Sequence, residues 1–219
     1  MKRVSLHCGD ISSNEYASIG IGSLIIFIAM IITAGVTASV IFQTMDSMQQ
    51  QAIRTSQETI KDISTGLKIS HISGYIQNSS ITKLVFFVET IAGSDSVDLA
   101  ETTVQLSNSE TVSILHYDNT TFSSSVTNGL FGSVNSSNLS NIDFSVLVIR
   151  DIDSSCTSSN PVINKNDLVA ILVNTTSCFS GISNSISVSG RIMPEQGISA
   201  VIGFTTPSSF TTTIIDLRK

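Results

Sequence analysis

The sequence predicts an α+β chain: one long N-terminal helix followed by a C-terminal antiparallel β-sandwich, immunoglobulin-like or barrel-like. Three observations carry this. No charged residue occurs between Ser18 and Met45, the apolar stripe of that stretch persists well beyond it, and from Leu67 onward short β-branched runs alternate with Ser, Asn, Gly and Asp clusters.

The 24 residues from Ile19 to Phe42 include 14 large apolar side chains. At about 1.5 Å per residue they extend roughly 36 Å as a helix, enough to cross a hydrocarbon layer of about 30 Å. The 17 residues before Ser18 carry charges that cancel, and the apolar stretch is too long for a secretory signal. Toward the C-terminal side, Ile41, Met45, Met48 and Ala52, and then Ile53, Ile60, Ile63 and Leu67, keep helical spacing. No Pro or Gly interrupts the segment until Gly66, a suitable C-cap. Such a helix is too long to be buried in the remaining domain, so it enters a membrane, a bundle with other chains, or each in turn. Ala29, Thr33 and Thr37, and likewise Ala34 and Ala38, recur at four-residue spacing and allow close approach of neighbouring helices.

The β part is read as eight or nine strands over about 150 residues. LVFFV and FSVLVI, its two most apolar runs, are expected at central strands, and Ser123 to Asn141 is expected to be a long surface excursion. This divides the chain into residues 1–17, a helix over 18–66 and a β domain over 67–219.

Composition excludes several functions. Only 13% of residues are charged, and 39 Ser and 22 Thr supply most of the polarity. A net charge of -6 with 11 scattered Lys and Arg gives no basic footprint for nucleic acid. The apolar content, 41%, is too high for a disordered chain. No HExxH, P-loop or GxSxG is present. Gly20-Ile21-Gly22 lacks the third Gly of a dinucleotide loop, and Ser80-Ile81-Thr82-Lys83 enters a strand, so an enzyme is not expected.

Three further features are candidates for sites. Cys156 and Cys178 flank a strand-like run; joined, they would close a loop of about 22 residues, stabilising by roughly 3 kcal/mol, with two free buried thiols as the alternative. Asp151, Asp153, Asn164, Asn166 and Asp167 offer oxygens to Ca²⁺ or a similar structural ion, although their spacing matches no EF-hand and a solvated loop is the simpler reading. Asn78, Asn119, Asn135, Asn138 and Asn174 each begin an N-x-S/T sequon, about as many as this hydroxyl content would produce by chance.

The run Gly20-Ile21-Gly22-Ser23-Leu24-Ile25-Ile26-Phe27-Ile28-Ala29-Met30 resembles the start of the mature archaellins, the type IV pilin-like subunits of the archaeal flagellum. So does Thr33-Ala34-Gly35-Val36-Thr37-Ala38. Gly190-Arg191-Ile192-Met193-Pro194-Glu195-Gln196-Gly197 and Phe204-Thr205-Thr206-Pro207 are similar to the family's terminal strands. The resemblance implies a class III signal cut between Ala17 and Ser18 by a prepilin-type signal peptidase. The preceding Glu15-Tyr16-Ala17 departs from the family's usual basic residue and Gly. It also implies polymerisation with identical or paralogous subunits, a membrane assembly platform, a motor ATPase and N-glycosylation machinery. The membrane is then occupied only before assembly, and the filament lies at the cell surface. Bacterial type IV pilins carry Glu five positions into the mature chain; here that position is Gly22, which favours archaellin. A pilin-like adhesion subunit and a membrane-anchored surface binding module are the alternative readings.

Overall fold

The computed structural model describes residues 12–133 and 139–218. The backbone divides into two compact units, 1–56 and 57–219.

Helix α1, Ser12–Ser64, has 53 residues, about 80 Å at 1.5 Å per residue. It starts ahead of the predicted boundary, so the peptide bond between Ala17 and Ser18 lies within helical backbone. Gly20, Gly22 and Gly35 stand in open space, with no neighbouring atom within 4 Å of where a Cβ would lie.

The β unit is one nine-stranded sheet in the order β10-β9-β4-β5-β6-β8-β2-β1-β11. Its strands are β1 (Leu67–Gln77), β2 (Ser80–Thr90), β4 (Thr103–Ser107), β5 (Val112–Tyr117), β6 (Asp143–Arg150), β8 (Leu168–Asn174), β9 (Ser187–Met193), β10 (Ala200–Thr205) and β11 (Ile214–Arg218). A separate pair joins β3 (Val97–Asp98) to β7 (Val162–Ile163). Every pairing in the large sheet is antiparallel except β5 with β6. Gly66, at the head of β1, bridges Ile198, just before β10, so the two ends of the sheet meet. This is the barrel-like branch of the expected fold, built from one curled sheet. The β1–β2 hairpin turns on Asn78 and Ser79, both at positive φ, which matches the twist of its strands.

Inside the curl, alternation holds. Ala200, Ile202 and Phe204 of β10 are buried while Val201 is 69% exposed, and Val104, Leu106, Val188 and Ile192 fill the same core. The apolar runs in β2, β6 and β8 are buried on both faces. Phe86, Val146 and Ile171 point into the main core, whereas Val85, Leu147, Ala170 and Leu172 form a second cluster on the other side.

That second face needs a cover, and residues 123–133 supply it. Phe131, 8% exposed, and Leu130 pack on the outer cluster. The Ser123 N–H donates to Val146 O at 3.0 Å, and the Val148 N–H donates to Ser123 O at 2.9 Å. The expected surface excursion is exposed from Ser124 to Gly129, and its Leu130 and Phe131 fold back as a lid over a sheet that is apolar on two sides.

Candidate functional site

The N-terminal helix is the first candidate. From Ile19 to Phe42 its large apolar side chains are 48–69% exposed within the chain itself, including Leu24, Ile25, Phe27 and Met30. Its length and composition suffice to cross a membrane. Four hydroxyls of the charge-free segment are already satisfied. Ser23 Oγ donates to Gly20 O at 2.9 Å, Thr33 Oγ1 to Ala29 O at 3.0 Å, Thr37 Oγ1 to Thr33 O at 2.7 Å, and Thr44 Oγ1 to Val40 O. No hydroxyl of this set demands a partner from lipid or from a packed neighbour. Ala29, Ala34 and Ala38 add small surfaces along the same segment. Of Ala17 and Ser18 only the backbone is described.

Among the described residues, one cluster of acids has metal-site geometry: Asp151, Asp153 and Asp167, with a carboxylate oxygen of each within 4.8 Å of the others. Asp167 is fully buried; its Oδ1 accepts the Ile152 N–H at 3.3 Å and its Oδ2 the Asn164 N–H at 3.0 Å. Asp151 accepts the N–H groups of Ser155 and Cys156, at 3.3 and 3.0 Å. Asp153 accepts Asn164 Nδ2 at 2.6 Å, and its hydrogen bonds with Ser155 and Asn164 hold the carboxyl below its ordinary range. Each carboxylate oxygen keeps a second lone pair, so the set fits a hard cation that prefers oxygen. Asn166 is the member the structure sets apart. Its φ is +73°, and its carbonyl accepts Arg150 Nε at 2.6 Å, so it makes the turn that presents Asp167. Ser155, absent from the predicted set, joins it by accepting Asn164 Nδ2 at 3.2 Å.

The predicted disulfide is not formed; Cys156 and Cys178 are free. Cys156 follows β6 and is held at Asp151, beside the start of β8. Cys178 lies on the short helix α2 (Thr175–Phe179), after the end of β8. The seven residues of β8 span roughly 20 Å between these places, whereas a disulfide needs Cα atoms within about 7 Å. Flanking a strand put the thiols at opposite ends of it. Burial pushes the Cys156 thiol up to about 12 and raises that of Cys178. Maleimide should accordingly label neither thiol readily in the native β unit and both after denaturation, with a melting temperature indifferent to reductant; a reductant-dependent mass or melting point would show that a bridge forms.

The sequons differ in availability. Asn78 at the hairpin tip and Asn119 at the start of a 3₁₀ turn (Asn119–Thr121) are exposed. Asn174 caps α2: its side-chain oxygen accepts the Thr176 N–H at 3.1 Å and its Nδ2 donates to Leu139 O at 3.4 Å. Asn135 and Asn138 lie outside the described residues.

Lys83, from the rejected Ser80–Lys83 pattern, and His71 each have a partner within the fold. Lys83 Nζ donates to Phe131 O at 3.4 Å and sits 5.6 Å from the Tyr75 ring centre. His71 pairs with Asp216 at 3.0 Å, linking β1 to β11.

A family model for archaeal-type flagellin matches residues 17–204. Among curated relatives, Flagellin B2 of Methanocaldococcus jannaschii is 35% identical, the alignment covering 90% of this chain and 91% of the relative. Flagellin B1 of Methanococcus voltae is also 35% identical, over 94% and 97%. The crystal structure of archaeal flagellin FlaB1 from Methanocaldococcus jannaschii superposes with a TM-score of 0.63 at 32% identity, covering 70% of this chain and 96% of that one. A chain of the archaeal flagellum of Methanospirillum hungatei shares the fold, with a TM-score of 0.64 at 17% identity over 90% and 98%. The match begins at Ala17, at the expected processing point, and runs through the helix and nearly the whole curled sheet. With relatives aligned over most of their length as well, the chain belongs to the archaeal-type flagellin family.

Proposed function

We infer that the chain is a structural subunit of the archaeal flagellum, polymerising through α1 into a filament that rotates for swimming. The carrying observation is the exposed apolar segment Ile19–Phe42. Its 14 large side chains represent roughly 20 to 40 kcal/mol of gross transfer free energy from water, and their exposure within the single chain calls for lipid or other helices. Lipid is about as apolar as a helix bundle, so moving the helix from one to the other is near neutral in hydrophobic terms. Packing at Ala29, Ala34 and Ala38, and work from a motor ATPase at the membrane platform, then decide assembly.

In this reading a prepilin-type peptidase cuts the membrane-held precursor between Ala17 and Ser18, and the β unit faces outward at the cell surface. Glycans attach at Asn78 and Asn119, whose side chains are exposed. Asn174 stays unmodified because its amide is committed to the α2 cap and to Leu139 O. The acid cluster holds a structural cation of the Ca²⁺ type, with Asp151, Asp153 and Asp167 as carboxylate donors.

The test is peptide mass spectrometry on filaments sheared from cells. The expected result is an N-terminus at Ser18, glycan mass on the peptides containing Asn78 and Asn119, and none on that containing Asn174. Intact Met1 recovered only with the membrane fraction would support the anchored-module reading instead.

A further inference from the structure

Two segments remote in sequence, around Thr65 and around Gln196, meet at a cavity. The segment Thr65-Gly66-Leu67 is clamped by backbone hydrogen bonds: the Ile198 N–H donates to Thr65 O at 2.8 Å, the Leu67 N–H to Ile198 O at 3.1 Å, and the Ile91 N–H to Gly66 O at 3.1 Å. Glu195 and Gln196, directly before Gly197, stand across from it. Between them lies a cavity of about 150 Å³ lined by Lys61, Thr65, Ser96, Asp98, Glu195 and Gln196, among others. Three segments remote in sequence thus bring oxygen-bearing side chains to one small volume, far too small for a nucleotide and ample for an ion with water.

Thr65 makes this more than a polar dent. The residue is 3% exposed, its N–H and carbonyl are both paired, and its Oγ1 has no hydrogen-bond partner. Among the described residues it is the one buried side-chain oxygen or nitrogen in that position. A buried hydroxyl left unpaired costs about 1–3 kcal/mol, so native proteins pair such groups with protein, water or an ion. Two carboxylates against one ammonium leave the lining at a net charge of -1. Lys61 neutralises neither acid by contact, because the ion pairs among the described residues are Lys68–Glu89 and His71–Asp216. Asp98 Oδ1 already accepts the Ala100 N–H at 2.8 Å, which fixes the carboxylate and leaves Oδ2 available.

We propose that this cavity is a second cation site, in which Thr65 Oγ1, Asp98, Glu195 and the Gln196 carboxamide, completed by water, hold a hard divalent ion such as Ca²⁺. All four donors are oxygen, carboxylate or neutral, the set that Ca²⁺ accepts in flexible geometry. None of its four donors belongs to the Asp151 cluster, although Val162 of its lining lies on the strand that leads into Asn164. A bound ion joins Thr65, directly after α1, to β3 and to the segment before β10 at a single point.

Calorimetric titration of the full mature chain in detergent, stripped with chelator and then given CaCl₂, tests it. In an Asp153→Asn background, which weakens the other cluster, one Ca²⁺ equivalent is expected to remain. Thr65→Val should weaken that equivalent at least about tenfold, and Asp98→Asn with Glu195→Gln should abolish it. The melting temperature of the Asp153→Asn chain should rise with Ca²⁺, and that of the triple variant should not. If Thr65→Val fails to fold, the two carboxylate changes, at positions more exposed than Thr65, give the same reading. Unchanged Ca²⁺ affinity in these variants, or no Ca²⁺ bound in the Asp153→Asn background, overturns the proposal and leaves the cavity to water.

Discussion

Phe27→Asp is expected to abolish filaments, and Phe27→Leu to leave them intact. Phe27 sits in the middle of the charge-free stretch, 62% exposed within its own chain, so whatever surrounds it in use comes from outside the chain. A carboxylate at the centre of a membrane helix raises the insertion free energy by about 2.5–3.5 kcal/mol. In a dry helix bundle it would also lack a partner, and each added subunit would repeat the penalty. The nearest acids along the helix are Glu15 and Asp46, so the chain itself carries no counter-charge there. Electron microscopy of sheared material should show no filaments, and immunoblots should find the variant retained with the cells. Normal filaments from Phe27→Asp would mean that this face meets water, and the polymerisation role of the helix would fall.

The second large effect lies in the β unit. Gly197 has φ = +100°, and a Cβ there would come within 2.2 Å of Thr65 O, the acceptor of the Ile198 N–H. Gly197→Ala therefore combines unfavourable backbone, on the order of 1–3 kcal/mol, with a clash against fixed main chain. We expect a loss of at least about 3 kcal/mol, near 6–12 °C in melting temperature for a unit of this size. Gly203→Ala is the control. Gly203 lies on β10 with nothing within 4 Å of an added Cβ and a φ outside the left-handed region, so its change should stay within about 0.5 kcal/mol of neutral. Equal effects of the two substitutions would show that the clamp between Gly197 and Thr65 contributes little.

What could be read before any coordinates follows physical lines. Helix α1 was legible because lack of charge, helical spacing and absence of Pro all point one way, whereas the two faces of β10 were not, because outward Val201 is as apolar as inward Ile202. Nor was the lid, since Leu130 and Phe131 sit within a run of Ser, Asn and Gly and their role depends on the outer faces of three strands that pair only in the fold. The cysteines misled for a related reason: sequence distance gives loop length, whereas strand direction decides which end of the sheet each thiol reaches. In the acid cluster, composition picked out Asp151, Asp153, Asn164 and Asp167. Only the backbone turn at Asn166 tells donor from scaffold, and the Asp153, Ser155 and Asn164 contacts show Ser155 to be a member. Parallel pairing of β5 with β6 left no trace in either strand.

The threonine and serine hydroxyls folded back onto α1 bear on how the helix changes surroundings. A side chain that donates to its own backbone has the same hydrogen bond before, during and after a transfer, so no intermediate along the path exposes an unpaired donor. For such a helix, the free-energy landscape of a move between two apolar surroundings is not raised by these hydroxyls. Thr33→Val or Thr37→Val would leave that landscape almost level, where an Asn at the same place, with an amide reaching outward, would create a step in it.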